Sequence, residues 1–258
     1  MIRFTSIPSL SIGPLDISTH ALMMALGIVI AYMFARQEAK RHHLSLDLMD
    51  GLVNWAAVGG IIGARLWYVL LNPGYYQNII DIFKLWEGGL ISFGGALGGF
   101  LGVYLYLRHK KVDWILYADL LAPYTLLGWG IGRIGDFLAW EEIGTITTLP
   151  WGVDAGFGVA RHPVQLYTLM TLTIGFLISQ RLKKTKRAAM PGFVFMLAGV
   201  YYFTERFFME FFRDDVYGAA ELVSYRYFAQ ATSIVFIILL IVWFQFQKRK
   251  IAYDKNTK

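Results

Sequence analysis

The sequence has no cysteine. That excludes disulfides, thiolate metal sites and an enzyme thiol nucleophile. Charge is also scarce: 16% of the 258 residues are Asp, Glu, Lys or Arg, against about 25% in a soluble domain. Apolar residues reach 56%, above the usual proportion of about 45–50%. This imbalance excludes an ordinary soluble globule and points to a membrane protein. The net charge of +6 sits in short basic clusters between apolar stretches, as topology determinants do, so nucleic-acid binding is not expected. No small-residue cleavage site follows the first apolar run, and a removable signal peptide is not expected. Aromatic residues, by contrast, are plentiful at 16%, enough to supply belts at both membrane interfaces.

A spanning helix needs about 20 mostly apolar residues. Seven segments qualify: 18–35, 50–71, 88–107, 113–140, 163–180, 190–212 and 227–247. The fold expected is therefore all-α, a polytopic integral membrane protein forming one domain over 1–258, with a basic tail at 248–258. The fourth segment is overlong and carries Pro123 and a glycine-rich stretch from Gly128 to Gly135, so a kink or break is expected there. Glycines at 59, 60 and 63, and at 94, 95, 98 and 99, suit close helix approach.

Sixteen of the 24 Lys and Arg fall in alternate connections and the tail: after helices 1, 3 and 5 and beyond helix 7. The positive-inside rule then puts the N-terminus outside and the C-terminus in the cytoplasm.

Ionisable residues within spans are costly and mark function. Arg65, Arg133, Asp136, Arg206 and Glu210 fall within the expected spans, and His20 lies near the outer start of the first. Counting 1.5 Å per residue from the cytoplasmic ends puts the three arginines in the outer half of the bilayer. Tyr202, Arg206, Glu210 and Arg213 share a helical face by spacing, as do Arg133, Phe137 and Glu141, with Asp136 at i+3 from Arg133. Two readings of these groups stay open at this point: internal ion pairs holding a bundle together, or guanidiniums for an anionic lipid phosphate.

Particular stretches resemble the prolipoprotein diacylglyceryl transferases of bacterial plasma membranes. GRIGDFLAWEEIG (Gly132–Gly144) is similar to the family signature G-R-x-G-N-F-x-N-x-E-x-x-G, and GARLWYVL (Gly63–Leu70) to its second helix. WEGGLISFGG (Trp86–Gly95) resembles W-x-G-G-x-x-x-H-G-G, RHPVQLY (Arg161–Tyr167) resembles R-H-P-x-Q-L-Y, and YFTERFFMEFFRDD (Tyr202–Asp215) resembles Y-x-x-x-R-x-x-x-E-F-F-R-x-x-D.

The resemblance implies a multi-pass enzyme of the bacterial plasma (inner) membrane whose site faces the outer leaflet. Its partners would be phosphatidylglycerol, prolipoprotein signal peptides bearing a lipobox cysteine, and the bilayer itself. The diacylglyceryl group would pass to that cysteine, so the nucleophilic sulfur belongs to the substrate. Arg133 and Arg206 would hold the phosphate, and Glu141 and Glu210 would orient them or the glycerol hydroxyls. Tyr202 and Arg213 would support them, while Gln165, His162 and Arg65 would act behind them or in packing. No cofactor is implied, and no ligand cluster in the sequence resembles a metal site.

The departures are Phe93 where the family has His or Tyr, and Asp136 and Ala139 where it has Asn; His20 stands where many members have Tyr. Phenylalanine accepts no proton, so the base would be dispensable or relocated to His20 or Asp136. A diverged paralogue with another lipid or acceptor, or a non-catalytic lipid-binding protein, is the alternative. A transporter is disfavoured because the ionisable residues gather near one leaflet.

Overall fold

In the computed structural model the apolar runs are α-helices. Residues 1–13, 15–74, 78–84, 89, 91–214 and 219–256 are described, with backbone alone at 12, 15, 79, 92, 93, 219–225 and 250–256. Among them are seven α-helices: α1 (Thr19–Arg41), α2 (Leu46–Leu71), α3 (Ser92–His109), α4 (Trp114–Ala139), α5 (Val164–Leu182), α6 (Phe193–Met209) and α7 (Ala219–Asn256). Four short strands accompany them: β1 (Ile2–Arg3), β2 (Ser9–Ile12), β3 (Leu15–Ser18) and β4 (Val153–Asp154). β1 pairs in parallel with β4, and β2 with β3 as a hairpin. Three stretches, Thr19–Arg41, Leu46–Leu71 and Arg226–Arg249, are each long and apolar enough to cross a membrane. Their apolar side chains face outward, with Leu26, Ile28, Trp55, Ile61, Val235 and Ile238 all exposed, as lipid requires and water would not allow.

Local chemistry sets several helix starts. Ser45 accepts from the Leu48 amide at the start of α2, and Asp113 from the Ile115 amide at α4, each satisfying a donor the helix leaves orphaned. Asp119 does the same across space for α6, accepting from the Gly192 and Phe195 amides at 2.6 and 2.7 Å. α4 runs unbroken through Pro123, contrary to a break there. Pro123 is fully buried and removes one backbone donor from the helix.

The chain forms two compact units. In residues 36–117, α2 and α3 meet through glycine: a Cβ on Gly98 would stand 2.2 Å from the Gly59 carbonyl oxygen, and one on Gly63 2.3 Å from that of Gly94. In residues 1–35 and 118–258, α4, α5 and α6 share a core of Leu126, Leu172 and Ala198, with Trp129, Phe176 and Tyr202 packed on it. Gly27 and Gly128 bring α1 against α4. Phe203 stacks on Phe236, and Phe195 meets Trp243 edge-on, joining α6 to α7. α7 also continues through Lys248, Arg249, Lys250 and Lys255 to Asn256, so most of the basic stretch extends the helix.

Candidate active site

The site begins where α4 ends. Trp140 has φ 55°, its amide donates to the Phe137 carbonyl, and the Glu141 amide donates to the Asp136 carbonyl at 3.1 Å. This is a Schellman closure, in which the residue past the cap takes a left-handed conformation. Glycine is usual there; at this position a buried indole packs against Phe4 and Phe137 instead. The turn corrects one expectation. Glu141 lies beyond the helix rather than on the face of Arg133, and Glu142 takes its place there.

Arg133 is buried, and its Nη1 donates to Asp136 Oδ2 at 2.7 Å and lies 2.8 Å from Glu142 Oε1. Glu142 Oε1 lies 3.5 Å from Arg213 Nη2, while Arg213 Nη1 donates to Glu210 Oε1 at 3.1 Å. Arg206 Nη2 reaches the same Glu210 oxygen at 2.8 Å. One lattice thus runs Arg133–Glu142–Arg213–Glu210–Arg206. Burial pushes Glu142 up, but the guanidiniums of Arg133 and Arg213 outweigh it and hold the carboxyl down at about 2.

α6 stops at Met209, so Arg213 is not on the helical face that its spacing suggests. The chain turns there and pairs with the segment after α4. Thr145 donates to the Phe212 carbonyl and Asp214 to that of Ile143, both at 2.8 Å. On its other side the same segment receives the His162 amide on the Thr145 carbonyl, at 2.9 Å. Arg161 ties the layers, donating from Nη1 to the Gly144 carbonyl and to Asp214 at 2.7 Å. A Cβ on Gly144 would fall 1.9 Å from the His162 carbonyl oxygen, so only glycine fits between these strands. Arg226, from α7, donates to the Arg213 carbonyl at 2.6 Å. Gln165 is fully buried and donates to the Glu142 carbonyl, while His162 meets the Tyr167 hydroxyl through Nδ1 at 3.1 Å.

A second group adjoins the lattice. His20 Nδ1 shares a hydrogen bond with Asp136 Oδ1 and lies 3.5 Å from Glu141 Oε2. Asp136 therefore bridges His20 and Arg133. Gly135 makes the approach possible, since a Cβ there would meet the Cα of His20 at 2.9 Å. Thr19 anchors the helix start, donating its hydroxyl to the Ile7 carbonyl at 2.6 Å.

Tyr202 packs edge-on against Trp129, whose ring also lies 5.8 Å from the Arg133 guanidinium carbon. Arg65 is engaged within its own unit, donating to the carbonyls of Asp81, Ile82, Lys84 and Gly89. The side chain of Phe93 lies outside the described residues.

Sequence reasoning missed Glu142 and the buried Glu205, whose Oε1 accepts from Thr171 at 3.3 Å. Glu205 carried a signal, being a carboxylate beside Arg206 within an expected span. Glu142 carried none, because its place depends on the turn at Trp140. As a whole the site presents guanidiniums fixed by carboxylates, which binds an oxyanion without first having to order its donors.

The sequence profile described as prolipoprotein diacylglyceryl transferase matches residues 8–246. A protein named phosphatidylglycerol–prolipoprotein diacylglyceryl transferase from Geobacter sulfurreducens is 39% identical over 212 residues, 79% of this chain and 80% of its own length. Proteins of the same name from Wolbachia pipientis subsp. Culex pipiens and Thermotoga maritima are 34% and 32% identical, over 89% and 88% of this chain and 90% and 80% of their own lengths. The chain belongs to the prolipoprotein diacylglyceryl transferase family.

Proposed function

We propose that the chain transfers the diacylglyceryl group of phosphatidylglycerol to the lipobox cysteine of prolipoproteins, releasing glycerol 1-phosphate, the first step of lipoprotein maturation. The observation that carries this reading is the buried lattice of Arg133, Arg206 and Arg213 with Glu142 and Glu210. Arg133 and Arg206 hold the phosphate as the ester bond breaks, stabilising charge that develops on the leaving oxygen. Glu210 and Glu142 orient the guanidiniums, and Arg213, Tyr202 and Gln165 support them. Arg65 serves packing. Activation of the incoming thiol falls to His20, Asp136 and Glu141, because phenylalanine at position 93 cannot accept a proton. The test is transfer of labelled diacylglycerol from phosphatidylglycerol to a lipobox peptide by the purified protein. Transfer to the cysteine peptide and none to its serine counterpart is expected; no transfer in the presence of both substrates sinks the reading.

The same proposal places seven spans in a bacterial plasma membrane, with the N-terminus outside and the site at the outer leaflet. The basic connections after helices 1, 3 and 5 support that orientation. A cysteine at Thr148, exposed in the connection after α4, is expected to react with an impermeant maleimide in intact cells. One at Thr185, exposed after α5, is expected to react only after lysis. The absence of native cysteine makes both signals clean, and the reverse pattern overturns the orientation.

A further inference from the structure

One buried carboxyl takes no part in the lattice. Glu205 is 8% exposed and sits on α6, one residue before Arg206. Two guanidiniums act on it electrostatically, but each is bonded elsewhere: Arg133 to Asp136 and Glu142, Arg206 to Glu210. Among the described residues Glu205 joins no ion pair. Its hydrogen bonds come instead from α5, from the hydroxyls of Thr168 and Thr171. That of Thr171 is shared. The same hydroxyl faces the carbonyls of Tyr167 and Thr168 at 3.0 Å each and Glu205 Oε1 at 3.3 Å, and one hydrogen serves one acceptor at a time.

An ionised carboxylate accepts at about four positions and has nothing to donate. Here it would receive one hydroxyl hydrogen and a share of another, inside an expected span where an unpaired charge neutralises rather than persists. A carboxylic acid fits the same partners better. Its carbonyl oxygen accepts from Thr168, and its own O–H returns the bond to the Thr171 oxygen. The Thr171 hydrogen is then left to the backbone carbonyls of its own helix, the bond such a residue usually makes. The other titratable groups acting on Glu205 among the described residues are Tyr201 and Tyr202, both on α6. Tyr202 stands three residues before Glu205, on the same helical face. It packs on Trp129, whose ring lies beside the Arg133 guanidinium, and Trp129 Nε1 is buried with no acceptor. An oxyanion on Arg133 is the kind of acceptor such an orphaned donor needs.

We propose that Glu205 is held as a carboxylic acid and delivers its hydrogen to the phosphate as the lipid ester breaks. The state of the carboxyl stands on its hydrogen bonds; its use rests on the transfer reaction proposed above. A sulfur lone pair forms the C–S bond to the glyceryl carbon, the C–O bond to the phosphate breaks, and its electron pair stays on the phosphate oxygen. The Glu205 proton passes to that oxygen. Glycerol 1-phosphate then leaves as the monoanion, and Glu205 is left ionised in the field of Arg133 and Arg206. The thiol proton, taken up on the side of His20, restores the acid through water. No proton is gained or lost over the cycle.

The experiment uses the full chain in nanodiscs. Glu205→Gln keeps a neutral side chain that accepts and donates hydrogen bonds but has no proton to give. Its melting midpoint and KM for phosphatidylglycerol are expected to stay near wild type. Its kcat is expected to fall about tenfold to a hundredfold, at or below the low end of general acid–base catalysis, because the guanidiniums already carry part of the charge. Glu205→Asp, with a proton but a shorter reach, is expected to keep more of the rate than Glu205→Gln. A purely structural carboxyl predicts the reverse order, with the isosteric glutamine active. The state itself is read from infrared difference spectra of wild type against Glu205→Gln at neutral pH. The carbonyl stretch of a carboxylic acid is expected in the wild type and lost in the variant. Glu205→Asp shifts that band instead of removing it, which keeps the test decisive if the glutamine variant does not fold. A difference confined to carboxylate bands overturns the proposal whatever the rates. Wild-type kcat in Glu205→Gln overturns the proton delivery and leaves the transfer reaction standing. A carboxylic-acid band in a wild type that transfers nothing to a lipobox peptide supports the state of Glu205 and removes the reaction.

Discussion

Arg133→Ala and Arg206→Ala are each expected to slow diacylglyceryl transfer at least about a hundredfold, since removal of one preorganised donor costs about 10²–10³ in rate. The two differ in what they leave behind. Loss of Arg133 removes the contacts at 2.7 and 2.8 Å to Asp136 and Glu142, two buried or half-buried carboxylates, and leaves them only His20 and the more distant Arg213. Breaking such a pair costs about 3–5 kcal/mol, so this variant is expected to melt earlier as well as turn over slowly. Loss of Arg206 leaves Glu210 still paired with Arg213 at 3.1 Å, and stability is expected to change little. Arg206→Ala is therefore the cleaner probe. Arg206→Lys retains the charge but loses the planar fork, and should recover only part of the rate. Melting in nanodiscs and transfer of labelled lipid, measured on the same preparations, separate the two effects. Near-normal turnover in both alanine variants removes the clamp.

The second large effect concerns acid. Glu142 is held at about 2 against an ordinary 4.5, a depressed native value. A group of that kind stabilises the fold fully above its unfolded pKa, and the contribution is lost as pH falls through the native one. The window therefore runs from about pH 4.5 down to about 2, and at 1.36 kcal/mol per unit the difference amounts to about 3 kcal/mol. Wild-type stability, read as a denaturation midpoint in nanodiscs, is expected to fall steeply across that window. Glu142→Gln is expected to start lower at pH 7 and to fall less, because the titrating group is gone. Parallel acid limbs in the two proteins would falsify the assignment of this pH dependence to Glu142.

How much was legible follows from which interactions are local. The helices were, because each rests on a long apolar run, and so was a close approach at the glycines of α2 and of α3, though not that the two meet each other. Within the site, the pairs Arg133–Asp136 and Arg206–Glu210 lie at i+3 and i+4 on their helices, spacings that sequence gives directly. What was lost depends on turns and on distant partners. Helix periodicity carried Glu141 onto the face of Arg133, and nothing in the sequence announces a left-handed tryptophan that ends α4. Arg213 leaves the helical face because its backbone pairs with Gly144, far away in sequence. His20 and Asp136 are 116 residues apart. The spread of α7 to Asn256 was missed because Lys, Arg and Gln sustain a helix well but do not show as an apolar run. Arg65 looked functional by depth alone, whereas its carbonyl partners lie in a segment without periodic pattern.

Those same two local pairs bear on how such a protein is made. A guanidinium threaded alone into a bilayer costs about 2.5–3.5 kcal/mol even on insertion-derived scales. In this chain Arg133 travels with Asp136 on one helix, and Arg206 with Glu210 on another. On the seven-span reading proposed above, each helix would partition from the translocon already compensated, before its neighbour has been synthesised. The longer contacts of Glu142 and Arg213 join the two halves only once the later helix has emerged. Biogenesis and catalysis then ask different things of the same carboxylates: escorts during insertion, and orienting partners afterwards. A substitution that removes Asp136 or Glu210 would be felt first by the insertion machinery, in nascent chains that have not yet acquired a site to lose.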